Sequence, residues 1–253
     1  MQIANPMIRF KIDRFRMAES MNLKIVPNSG LTNSLPSRSN MGSHSSNTMG
    51  NRSAQIISWM FHPVFQPVML VSFLVFGHSS TLFLGFQENQ QWMILAQTFT
   101  LYTFFPLVTI GLLKAVGFIQ SIQLRSARDR IIPLVAVGIW YFWIWYVWKN
   151  LPDYPIELVR FALAAWTTSW VALMINVRMK ISLHTLSAGL ILAFICMWAM
   201  AHPRGAGIYL PATVFLTGII GAARLQVSDH HPMEVYLGYA VGVGCMLAVH
   251  ALY

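Results

Sequence analysis

Apolar runs of about 20 residues, repeated along the chain and parted by short polar connections, constrain this sequence more than any other feature. A helix of that length rises about 30 Å, the thickness of a bilayer's hydrocarbon core. Only 10% of the 253 residues are charged and 56% are hydrophobic, whereas a soluble domain carries about 25% charged residues. The expectation is an all-α, polytopic membrane helix bundle, with six core transmembrane helices and one weaker N-terminal span. Both cysteines, Cys196 and Cys245, fall inside apolar runs, which argues against a disulfide framework.

Seven spans can be read, at roughly 63–86, 93–116, 131–149, 156–178, 181–201, 206–223 and 233–253. The third contains the aromatic stretch IWYFWIWYVW, whose rings suit interfacial or packing contacts. The first is the weak one, because His62, Pro63 and Pro67 open it. A kinked or re-entrant segment is the alternative there.

Residues 1–55 differ in composition from everything after them and form an expected flexible extension to a bundle of residues 56–253. The segment IRFKIDRFRM is basic, and residues 28–53 are rich in Ser, Asn and Gly and expected to be disordered. No apolar stretch followed by a small-residue cleavage site appears, so the secretory signal reading fails. For residues 1–20 an organelle presequence, a membrane-surface arm and a plain extension all remain open. The net charge is +9, and seven of the seventeen Lys and Arg precede residue 53. Anionic lipid headgroups are the expected partner of this tail. Nucleic acid is not expected, since the chain has no soluble domain to carry a binding surface.

Basic residues also set the expected orientation. Arg125, Arg128 and Arg130 join the second span to the third, Arg178 and Lys180 the fourth to the fifth, and Arg224 the sixth to the seventh. These connections share a face with the N-terminus, and the basic excess assigns that face to the cytoplasm. Catalytic use of the same residues would weaken them as topological markers.

The densest chemistry lies in ARLQVSDHHPMEVYLGYAVG, where Arg224, His230 and Glu234 are spaced six and four apart. Pro232 suits the first position of a helix. Such a helix places Glu234 in its first turn, within reach of His230, with its positive end toward Arg224. A histidine with a phosphate beside it fits this pattern, and a helix-capping Glu next to two loop histidines is the plainer reading. His231 is the competing nucleophile. Gly238 and Gly242 suit close helix packing.

Taken with two further motifs on the same face, this stretch resembles the type 2 phosphatidic acid phosphatase superfamily of membrane lipid phosphatases. That family carries K-x6-R-P, P-S-G-H and S-R-x5-H-x3-D. Here Ala223-Arg224, His230 and Glu234 stand for the third motif. Ile181-Ser182-Leu183-His184 stands for the second, and Asp129-Arg130-Ile131-Ile132-Pro133 for the first. The departures are Ala223 for Ser, Glu234 for Asp, the loss of Pro and Gly in the second motif, and Gln123 where the first has Lys. Arg125 or Arg128 can supply that missing charge.

The resemblance implies metal-independent hydrolysis of a lipid or isoprenoid phosphate or diphosphate, with no cofactor. His230 would attack phosphorus to give a phosphohistidine, and Glu234 would orient it. Arg130, Arg224 and Ser182 would bind phosphate oxygens, and His184 would protonate the leaving oxygen. The altered motifs imply an alternative, a catalytically inactive subunit with a structural or lipid-binding role in a membrane protein complex. Histidines 184, 202, 230, 231 and 250 raise a third idea, a haem or metal site. No C-x-x-C-H, H-E-x-x-H or same-span HxxxH pair accompanies it.

Overall fold

The computed structural model describes residues 43–78, 82–119, 129–152, 154–202, 208–227 and 231–253, with side chains from Arg52 onward. Every regular element among them is helical. Helix α1 is Ser43–Met60, α2 is Gln66–Gly77, and α3 is Glu88–Phe99. A π-helical turn, Thr100–Phe104, joins α3 to α4, Phe105–Ala115. There follow α5 (Ile131–Lys149), α6 (Ile156–Asn176), α7 (Leu183–Ala201), α8 (Tyr209–Val227) and α9 (Pro232–Leu252).

Six helices are long and apolar enough to cross a membrane: the continuous 28-residue run Glu88–Ala115 and α5 through α9, of 19 to 21 residues each. The chain is therefore a polytopic, all-helical integral membrane protein. The weaker leading span is helical as α2, whose 12 residues rise about 18 Å, short of the ~30 Å needed to cross. His62, Pro63 and Pro67 account for its late start, since Pro67 stands in its first turn, where a missing N–H costs nothing.

Helix α1 takes in residues 43–53 of the stretch expected to be disordered. Composition there opposes a helix, but the turns that follow are anchored by burial along one edge. Ala54 and Ser58 are buried, with Ile57 and Phe61 half-buried beside them, the i, i+3, i+4, i+7 spacing of one helix face.

The π-turn has a local cause. Pro106 has no N–H to donate to the carbonyl of Tyr102, so the ladder widens there instead of breaking. Thr103, carried by that turn, donates its hydroxyl to the Val64 carbonyl at 2.8 Å. The widened turn thus grips the connection between α1 and α2.

The core is built mainly by α9 on α7 and α5 on α6. The aromatic stretch in α5 serves packing. Trp145 stacks on Trp166 with centroids 5.4 Å apart, and the Trp148 indole donates to Gln97 Oε1 at 2.9 Å. Helices α7 and α9 approach through glycine. A Cβ on Gly242 would lie 2.7 Å from the Leu190 nitrogen, and one on Gly238 would lie 2.8 Å from the Ser182 carbonyl oxygen. The small pair at four-residue spacing has the close-packing role its sequence suggests.

Candidate phosphate site

Three helix N-termini and one C-terminus meet at one end of the bundle. Arg130 is the residue before α5, Ser182 the residue before α7 and His231 the residue before α9. Pro232 is the first residue of α9 and Glu234 lies in its first turn, as the sequence pattern requires. Arg224 sits in the last turn of α8. The partial positive charge of three helix starts therefore converges near two guanidinium groups.

Hydrogen bonds tie these ends together. Arg130 Nη1 donates to the Ile181 carbonyl at 3.0 Å. The Ser182 backbone N–H donates to the Glu234 carbonyl at 3.3 Å. The side chain of Ser182 is fully buried, and its hydroxyl makes no hydrogen bond among the described residues. Arg130 and Arg224 are close enough to repel each other. Burial lowers the Arg130 pKa, and the charge of Glu234 works in the opposite direction. Two half-buried guanidinium groups with one carboxylate nearby make this end of the bundle electropositive, which suits an anion.

The structure thus brings together Arg130, Ser182, His184, Arg224 and Glu234, which come from three stretches of the sequence and the ends of four helices. His230 lies outside the described residues, as do Gln123, Arg125 and Arg128. Its neighbour His231 is exposed. His202 follows the last residue of α7 and His250 lies in the last turn of α9. Each belongs to the other end of the bundle, His202 about 27 Å from His184 along α7. No group of three or more His, Cys, Asp or Glu side chains gathers among the described residues.

Sequence reasoning missed a further contributor, the segment from Ser58 to Gln66. His184 Nε2 lies 3.1 Å from the Ser58 carbonyl oxygen, so that nitrogen carries the donated proton. Arg224 Nη1 donates to the Ser58 hydroxyl at 3.3 Å. The His62 ring meets the His184 ring edge-to-face, with centroids 5.2 Å apart. Gln66 is buried and donates to the Phe61 carbonyl at 2.8 Å and the His184 carbonyl at 3.4 Å. Burial first, and then the charge on Arg224, lowers the His62 pKa. The available signal was two polar residues, His62 and Gln66, at the mouth of an apolar segment. No family motif marks them.

Comparison with family models, with curated proteins and with solved structures gives no match. The fold and the site define the class, a polytopic helical membrane protein with a cationic polar cluster at one end of the bundle.

Proposed function

We propose that this chain is a membrane lipid phosphatase that hydrolyses a lipid or isoprenoid phosphate or diphosphate without a metal. The observation that carries the reading is the gathering of Arg130, bonded to the Ile181 carbonyl, with Arg224 and His184, both bonded to Ser58, near a Ser182 hydroxyl that makes no hydrogen bond among the described residues. Two guanidinium groups match phosphate oxygens and stabilise the charge of the transferring phosphoryl group. In this reading His230 attacks phosphorus, and the phosphorus–oxygen bond to the lipid breaks as His184 gives that oxygen a proton. Water then attacks the phosphohistidine as it gives a proton to His184, releasing inorganic phosphate and restoring both histidines. Because α7 to α9 are membrane-spanning, the lipid reaches the site laterally with its chains still in the bilayer. The basic tail binds anionic headgroups, and the distribution of Lys and Arg assigns the site's end of the bundle to the cytoplasm.

A specific observation favours a second reading, the inactive subunit. One nitrogen of each arginine, and Nε2 of His184, already bond to protein oxygens. A site whose donors are held this way serves as a structural clasp. Phosphate release separates the two. Purified protein is assayed with chelator present on phosphatidate, phosphatidylglycerol phosphate and polyprenyl diphosphate, alongside His230→Ala. Release that disappears in the variant is expected. No release from any of the three by well-folded wild type selects the inactive subunit.

A further inference from the structure

One face of α1 lies open beside the site. Arg52, Gln55, Ile56, Trp59 and Met60 line a shared groove, and their spacing of i, i+3, i+4, i+7 and i+8 is that of a single helical stripe. The apolar members are uncovered: Ile56 is 65% exposed, Trp59 75% and Met60 54%. The opposite edge of the same helix is buried at Ala54 and Ser58. The Arg52–Met60 stripe is thus apolar outward, with its cation at its N-terminal end.

The depth of this face follows from what Ser58 touches. Its carbonyl accepts from His184, the second residue of a membrane-spanning helix, and its hydroxyl accepts from Arg224, three residues before the end of another. Ser58 therefore stands level with the boundary where two spans meet the headgroups. Trp59, the next residue, points away from the bundle at that level. Tryptophan is favoured there, with its ring at the headgroup level. An aqueous location would leave three large apolar side chains in water.

We infer that the Arg52–Met60 face of α1 seats in the interfacial zone of the bilayer, with Ile56, Trp59 and Met60 at the acyl boundary and Arg52 among anionic headgroups. The occupant of the groove is lipid. Seating α1 in this way holds Ser58 against His184 and Arg224, so the membrane surface becomes part of what keeps that end of the bundle closed. None of this depends on catalysis.

Spin labels test it on the full chain reconstituted in phosphatidylcholine bilayers, with and without phosphatidylglycerol. The label is placed at Ile56→Cys or Met60→Cys in a Cys196→Ala, Cys245→Ala background. Both labels are expected to relax more with oxygen than with a water-soluble nickel chelate. They are also expected to move deeper when phosphatidylglycerol is added, an effect that Arg52→Gln removes. Nickel-dominated relaxation, meaning a face in water, overturns the proposal. So does dipolar broadening between labels of two molecules, which would make a second copy the occupant. Quenching of Trp59 by brominated lipid, taken as wild type minus Trp59→Phe, tests the same placement without any cysteine. Quenching is expected, and its absence contradicts the proposal.

Discussion

His62 carries the clearest residue-scale consequence of burial near charge. Its pKa lies below the ordinary value of 6.5, first because it is buried and then because Arg224 is close. Between the folded and the ordinary value the unfolded chain binds more protons than the folded one, so stability falls as the pH drops through that window. Above about pH 6.5 both states hold His62 neutral and the effect vanishes. His62→Phe retains a ring to meet His184 and removes the titration. Thermal unfolding followed between about pH 7.5 and pH 5 should show wild type losing more stability toward acid than the variant. Equal slopes would mean that His62 gains its protons freely in the folded state. The carboxylate of Glu234 works at the same scale. The sequence suggested a partner for His230, and the structure adds a second task, support of the Arg130 charge.

At the scale of elements, the fit of α7 to α9 decides where the site residues stand. A Cβ at Gly242 would meet backbone atoms of Leu186 and Leu190, and backbone cannot swing aside. Gly242→Ala should therefore force the helices apart, at a cost of roughly 1–3 kcal/mol typical of overpacking. Gly244 is exposed, with nothing within 4 Å of an added Cβ, so Gly244→Ala should be neutral or stabilising, as Ala suits a helix interior better than Gly. Unfolding midpoints of the two variants check this, and equal values would contradict the glycine contact. The Gly238 and Gly242 pair was legible in the sequence because four-residue spacing puts both on one helix face. The start of α9 was legible for a related reason, as Pro232 and Glu234 fix a local preference. Helix α1 and the π-turn were not. The Ser- and Asn-rich start of α1 reads as coil because it carries no apolar stripe, and Ala54 and Ser58, which are buried further along, are too small to supply one. The π-turn reads as helix because the deletion of one N–H at Pro106 leaves the apolar pattern intact.

For the whole molecule, apolar run length made the all-helical membrane class legible, since lipid leaves the backbone of such runs no partner outside the helix. The meeting of Arg130, Ser182, His184, Arg224 and Glu234 was legible only through motif spacing on a shared face. The Ser58–Gln66 segment was not, because its contacts cross more than 100 residues of sequence and follow no period. The central claim of the phosphatase reading is that this end of the bundle holds a phosphate between two arginines, which a clasp closed on protein oxygens does not. Binding of inorganic phosphate to the purified protein, measured by calorimetry beside Arg224→Gln, tests that claim most directly. Saturable binding by wild type is predicted, weakened about tenfold to a hundredfold in the variant by loss of roughly 1.5–3 kcal/mol of charged hydrogen bonding. A folded wild-type protein that binds no phosphate, or binds it as well after Arg224→Gln, would contradict it.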